Sequence, residues 1–477
     1  MNERLPLSRR RLLGGMAALA GASLVPVKGT GNSNATDASR QGSADSPGAD
    51  FCIQGATVLT MSGDDAVLHD TDVLVRNQRI EAVGKHLAAG DVERIDGRGQ
   101  IVLPGFVDTH NHLWQTQMRG MFAQSQASLF FPLTQRLTPH FRPEDVRVGT
   151  YLGAVENVSA GITTSNDFFD ANRSPEHAEA ALEALGASGL RARLLYGAES
   201  KTTDQSTDLD HLQALDRHWS RHDAGGRLSL GLAWRLPNDL DDADAMAMKR
   251  REFDTARELG LPIAVHVSGE GHHEMFQTLI DGGFLHPALQ VVHATDAREA
   301  HLAALERAGA SLSLTPVTEH RVAYGLTRLS HFESVTRQGL GIDGNALAGR
   351  GDMFSVLRTA ALTELGASGD QSAVDCQRLL HLATLGGAES IGMGETIGSL
   401  APGKRADLIM VDTRTLNIAM MPREPAATLV FAAGPSDVSL VAIDGRIVKR
   451  DGQMQHLEAD IHARTQDSID HLSRFSD

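Results

Sequence analysis

Short apolar runs in β texture occupy both flanks of the chain, and a longer strand–helix rhythm occupies its middle. Residues 56–60, 72–75 and 79–83 each read as a strand, separated by turn dipeptides such as Gly63-Asp64 and Asp96-Gly97. The same texture returns at 406–411, 438–443 and 446–448, where Asp444-Gly445 is a two-residue hairpin signal. Between the flanks, helices are expected over 144–159, 176–187 and 242–259. Strands are expected around Val107 and over 162–166, 193–196, 228–232, 263–266, 290–293, 311–314 and 339–343. Strands separated by helices over roughly 250 residues predict an α/β fold of the (β/α)8 TIM barrel type. The two β-rich flanks predict a discontinuous flanking β-sandwich domain built from both chain ends. An open doubly wound sheet is the competing arrangement, but no glycine-rich nucleotide fingerprint follows the first strand.

These patterns divide the chain. Residues 1–28 read as a twin-arginine-like signal peptide. Arg9-Arg10-Arg11 is followed by an uncharged Gly/Ala-rich apolar stretch from Leu12 to Leu24, with a small-x-small site at Ala20-Gly21-Ala22. The stretch is too short to span a bilayer, so the expectation is a periplasmic or secreted protein with no membrane attachment after cleavage. Residues 29–50, rich in Gly, Ser, Ala, Asn and Asp, read as a flexible linker. Residues 51–103 and 403–455 form the β-sandwich domain, 104–402 the barrel, and 456–477 a C-terminal helix. The net charge of −16, from 44 basic and 60 acidic residues, excludes nucleic acid as the natural partner. A small-molecule substrate is expected instead, and self-association is left open. Two cysteines, Cys52 and Cys376, make neither a disulfide framework nor a zinc ribbon.

The candidate chemistry gathers at strand ends. His110 and His112 stand two apart on the first strand, so both point the same way and can grip one cation at about 2.0–2.1 Å. His266 ends the fifth strand, His293 the sixth and Asp343 the eighth. Active-site residues of such barrels sit at the C-terminal ends of strands. Any one of these histidines could be a core residue bonded to backbone; the set at one end of one barrel is hard to explain that way.

Several motifs then acquire a common meaning. They are Pro104-Gly105-Phe106-Val107-Asp108-Thr109-His110-Asn111-His112, Arg119-Gly120, Val292-His293-Ala294, Gly341-Ile342-Asp343-Gly344, and the return to β structure from Gly398 to Leu408. From Phe51 to Gln453 the chain resembles the amidohydrolase superfamily, and within it the cytosine deaminase and chlorotriazine hydrolase-like group. The resemblance implies one divalent metal ion, Zn²⁺ first and Fe²⁺ second, held by His110, His112, His266 and Asp343. It implies metal-activated water, Asp343 as the base and His293 as stabiliser of the developing oxygen charge. The implied activity is hydrolysis of a non-peptide C–N bond, the deamination of a heterocycle or amidine-like compound. A cyclic-amide or amide hydrolase of the same superfamily is the alternative, and a non-catalytic periplasmic solute-binding protein is the alternative of another class.

The chain also departs from the group. Its deaminases carry Glu three positions after the strand-five histidine; here that position is Gly269, and Glu270 comes one residue late. Glu270 is the candidate acid for a ring nitrogen. The fourth-strand run 228–234 has no lysine, which points to a mononuclear site. Trp114, Gln117 and His320 are candidate substrate contacts.

Overall fold

The computed structural model describes residues 48–63, 67–123, 125–199, 205–268 and 272–476. The expected signal peptide, nearly all of the linker and Glu270 lie outside the described residues.

Two strands from opposite chain ends carry the architecture. Strands β1 (Phe51–Leu59), β2 (Val67–Arg76), β3 (Arg79–Gly84), β4 (Glu93–Asp96) and β5 (Gln100–Pro104) come from the N-terminal flank. After the barrel strands β6–β13, given below, β14 (Leu408–Asp412), β15 (Val438–Ile443), β16 (Arg446–Arg450) and β17 (Gln453–Met454) come from the C-terminal flank. β5 and β14 pair antiparallel, from Gln100 opposite Asp412 to Pro104 opposite Leu408, and join both flanks into one nine-stranded mixed sheet. Alternation lets these two strands serve two cores. Val102, Leu408 and Met410 pack with Phe51, Ile53 and Val73 inside the flanking domain. Ile101, Leu103, Ile409 and Val411 turn the other way and join the barrel's core.

The barrel strands are β6 (Phe106–Asn111), β7 (Ile162–Phe169), β8 (Arg191–Tyr196), β9 (Leu228–Trp234), β10 (Ile263–Val267), β11 (Leu289–His293), β12 (Ser311–Leu314) and β13 (Gln338–Leu340). They lie in sequence order in one eight-stranded sheet, each hydrogen-bonded parallel to the next. Their burial on both faces explains the near-continuous apolar runs. Along β10, Ile263, Val265 and Val267 join the large core shared with the helices, while Ala264 packs with Phe168, Leu195, Ala233 and Val292. His266 shares Ala264's parity. The seam between the last strand and the first closes just beyond β13, where the Asp343 amide donates to the His110 carbonyl at 2.8 Å. Gly341 permits that approach: a Cβ on it would lie 2.8 Å from the His110 oxygen and 2.9 Å from its nitrogen.

A buried ion pair ties barrel to flanking sheet. Arg191 on β8 donates to both Asp407 oxygens, at 2.7 and 3.1 Å, and to Asp444 Oδ1 at 3.2 Å. The C-terminal helix spans Ile461–Leu472 and packs Ile461 against Val148, Tyr151 and Val155 of the helix Pro143–Ser159. Both cysteine thiols are free. Among the described residues, no helix is long and apolar enough to cross a membrane.

Candidate metal centre and active site

Four ligand atoms, one each from His110, His112, His266 and Asp343, lie within 4.8 Å of one another. His266 Nε2 is 3.1 Å from His110 Nε2 and 3.3 Å from His112 Nε2. Asp343 Oδ1 is 3.0 Å from His110 Nε2 and 3.5 Å from His112 Nε2. These contacts cannot all be hydrogen bonds. His112 Nδ1 faces Asp170 Oδ1 at 3.0 Å, which assigns the His112 proton to that nitrogen and leaves Nε2 a bare lone pair toward the cluster. Burial pushes the His110 ring down to about 4. Burial, helped by the nearby Arg235 charge, also pushes His266 well below its usual range. Neutral imidazoles aiming lone pairs at one point, beside a carboxylate, are what a divalent cation requires. Burial alone would raise the Asp343 carboxyl, but His293 and His110 outweigh it and hold Asp343 at about 2.

The elements place these groups by different means. Strand parity delivers His266. His293 ends β11 on the parity of Val291, which faces the helices, so a regular strand would carry it away from the cluster. Its φ of +73° turns it back, and Asp343 has φ +64°. Left-handed backbone at non-glycine residues concentrates at functional sites. His293 Nδ1 is 3.1 Å from Glu319 Oε1 and 3.1 Å from Thr315 Oγ1, and its Nε2 faces Asp343 Oδ1 at 4.0 Å. Below the cluster, Asp108 accepts from Asn111 Nδ2 (2.6 Å), Ser165 Oγ (3.0 Å) and the Ile342 amide (2.9 Å), fixing the turn that carries Asp343. Burial pushes the Asp108 carboxyl up to about 7 despite these donors.

Above the ligands lies a cavity of about 270 Å³ whose wall includes Trp114, Phe130, Phe131, Tyr324, Arg235 and His293. A concave space with an aromatic side and convergent polar groups is a usual form of a small-molecule site.

A sequence model of the amidohydrolase family matches residues 101–448. The chain belongs to that family. Its 5-methylthioadenosine/S-adenosylhomocysteine deaminase relative from Pelotomaculum thermopropionicum is 29% identical over 429 residues, covering 86% of this chain and 95% of the relative. Among solved structures, an adenosine deaminase from Xanthomonas campestris with bound zinc aligns with a TM-score of 0.77 at 24% identity, over 90% of this chain and all of its own. Atrazine chlorohydrolase TrzN from Arthrobacter aurescens, complexed with zinc, aligns with a TM-score of 0.77 at 23% identity, over 88% of this chain and all of its own. The two structures establish the shared barrel fold. Family and ligand geometry together make this protein a metal-dependent hydrolase of carbon–nitrogen bonds other than peptide bonds, acting on small molecules through a divalent metal site.

In this amidohydrolase the structure brings His110, His112, His266, His293 and Asp343 together and sets Trp114 on the cavity wall. Two expected substrate contacts need correction. Gln117 turns away, donating to the Asp145 carbonyl (2.8 Å) and to Ser468 Oγ (3.3 Å) on the C-terminal helix. Gln115, two residues earlier, lines the cavity instead. His320 is outside the cavity wall; its Nε2 accepts from the Thr327 amide at 3.1 Å, pinning the loop after its own helix.

The sequence reading missed Asp170 and Arg235. Asp170 accepts from His112, from Trp114 Nε1 (2.8 Å) and from Arg235 Nη2 (2.5 Å). Burial would raise its carboxyl, but its contacts with His112 and Arg235 outweigh that and hold it well below the usual range. Both residues follow barrel strands, β7 and β9, so the strand-end rule reaches them.

Proposed function

We propose that this amidohydrolase is a zinc deaminase of amino-substituted aromatic heterocycles, adenine nucleosides first among them. The carrying observation is the cluster of His110, His112, His266 and Asp343 set beneath an aromatic-walled cavity with His293 at its edge. The imidazole-rich donor set suits Zn²⁺, and the deaminase relative supplies the substrate class. When bound, the cation supplies Lewis acidity that brings a water's pKa toward 7.

The chain's own groups do the rest. The heterocycle stacks among Trp114, Phe130, Phe131 and Tyr324, which excludes water and orients the amino-bearing carbon. The ionised Asp343 takes a proton from the attacking water. Glu319 holds the His293 ring through Nδ1 and leaves Nε2 toward the cavity, where the oxygen gains negative charge. Burial pushes the Tyr324 phenol up to about 12, so it keeps its proton and serves as a hydrogen-bond donor in the cavity. Addition to the ring and loss of ammonia complete the reaction.

Ammonia release from 5′-methylthioadenosine, S-adenosylhomocysteine and adenosine tests this reading. Turnover of at least one, lost in His266→Ala, supports it.

One observation favours a second reading, cyclic-amide hydrolysis: Gly269 stands where the group's deaminases carry the ring-protonating Glu. Glu270→Gln separates the two. A loss of about 10²–10⁴-fold with metal retained supports deamination with Glu270 as the acid. Unchanged deamination assigns the ring proton to another group, and cyclic-amide turnover without deamination favours the second reading. We also propose export by the twin-arginine route, tested by replacing Arg9 and Arg10 with Lys; unchanged periplasmic recovery would argue against it.

A further inference from the structure

The barrel has a second mouth, at the N-terminal ends of its strands. Gln290 precedes His293 by three residues on β11, and Ile263 precedes His266 by three on β10. At about 3.3 Å per residue the two levels are about 10 Å apart along the strands. Around the lower level lies a cavity of about 150 Å³, lined by Arg193, Arg337, Gln290, Asn166 and Ser311 among others, with no carboxylate in its wall.

Arg193 is the unexplained group. It is only 6% exposed. Among the described residues its guanidinium makes one hydrogen bond, from Nη1 to the Ile391 carbonyl at 2.8 Å, and its buried Nε has no partner. Burial pulls the guanidinium down to about 10, and no carboxylate opposes that pull. Two residues earlier, Arg191 is buried on the same strand with Asp407 and Asp444 as counter-charges. A buried cation without such a partner is costly.

The surroundings add unpartnered polar atoms of both kinds without adding negative charge, and the one acceptor among them is Asn166 Oδ1. Gln290 Nε2 is buried without a partner, while its Oε1 accepts from Asn166 Nδ2 at 3.0 Å. Arg337 donates only to carbonyls, those of Pro287 (3.0 Å), Gly309 (2.5 Å) and Glu389 (3.3 Å). Gly231 of β9 leaves room for both inward side chains of β8: a Cβ on it would lie 2.6 Å from Leu195 Cδ2, 2.8 Å from the Pro262 oxygen and 3.1 Å from Arg193 Cδ.

We propose that this lower cavity is an anion site, separate from the metal centre, for a small oxyanion of the phosphate or sulfate class. Arg193 and Gln290 donate to the anion from within, and Arg337 carries positive charge at the rim. The cavity holds about five waters' worth of space, enough for a tetrahedral oxyanion with some of its hydration and too little for a nucleotide. Guanidinium donors match such an anion in geometry as well as charge.

Equilibrium dialysis of the holoenzyme with radiolabelled inorganic phosphate tests the proposal. One saturable site per chain is expected, and Arg193→Gln should weaken it at least tenfold while leaving metal content unchanged. Phosphate should raise the Tm of the wild type with increasing concentration and leave that of the variant flat. His266→Ala, disabled at the metal centre, should still bind phosphate, which separates this site from anion binding at the metal and from failure of the deaminase reading. Should Arg193→Gln not fold, Arg337→Gln carries the same measurement and is expected to weaken binding. No saturable phosphate in the wild type, or binding undiminished in the arginine variant that folds, would overturn the proposal.

Discussion

Asp170 shows how much one side chain can set. Its carboxylate fixes the tautomer and tilt of His112, anchors the Trp114 indole on the cavity wall and neutralises Arg235. Groups that orient a metal ligand typically govern affinity by 10–100-fold. Asp170→Asn is therefore expected to retain the fold and lose metal affinity by about that factor, as measured by metal content in zinc-buffered solution. Glu319→Gln is expected to leave metal content unchanged and lower kcat, by about tenfold or more, because His293 loses the carboxylate that orients its ring. A fall in metal content instead would make Glu319 a prop for the metal site. The histidines were legible in the sequence because they stand at strand ends, where a barrel does chemistry. Asp170 and Glu319 were harder to single out because 60 acidic residues compete for notice and partnership is decided across strands. Gln117 misled for the opposite reason. It follows the His-x-His strand within a 3-10 turn whose rotation, invisible to strand parity, sends Gln115 into the cavity and Gln117 to the C-terminal helix.

At the scale of elements, the barrel's closing seam is where fold and site are one structure. Gly341 packs against the backbone of His110, and the next amide but one, that of Asp343, completes the seam. Gly341→Ala is expected to push the two strands apart and displace two ligands at once. Overpacking of this kind costs about 1–3 kcal/mol, so both Tm and metal affinity should fall; an unchanged metal affinity would show that the seam does not position the ligands. The strand rhythm of the barrel was readable because both faces of each strand are buried. Strand β4 and the helix Phe130–Leu137 were not, the first being a short, mostly polar pairing and the second a segment whose aromatic residues face the cavity rather than a helical core stripe. Lys449 on β16 offers a pH test of packing between the domains. Its ammonium is 3% exposed and donates to the Ser159 carbonyl at 2.6 Å, and burial lowers its pKa from 10.5 to about 8. Between those values the unfolded chain holds the proton that the folded chain sheds, so this group's contribution to stability rises with pH from about 8 to 10.5. Lys449→Met should be more stable than wild type at pH 7, and its advantage should shrink across that window in parallel Tm measurements.

At the scale of the whole molecule, a barrel and a sheet made by both chain ends meet across a buried charge cluster. Arg191→Met would leave Asp407 without its cation and Asp444 with Arg405 alone. Breaking a buried pair on one side costs about 3–5 kcal/mol, and urea unfolding should show a lowered midpoint and an unfolding free energy reduced by about that amount. The central claim is that the ligand cluster at the C-terminal end of the barrel holds one divalent cation on which hydrolysis depends. The most direct measurement pairs elemental analysis with ammonia release, on the chain as purified, stripped with chelator and reloaded with Zn²⁺, using 5′-methylthioadenosine, S-adenosylhomocysteine and adenosine. About one metal per chain is expected, since the ligand set fills one site. Ammonia is expected from at least one nucleoside, with loss on stripping and return on reloading. Ammonia release that persists in the stripped protein, or a fully loaded protein that releases none from any of the three, would contradict the claim.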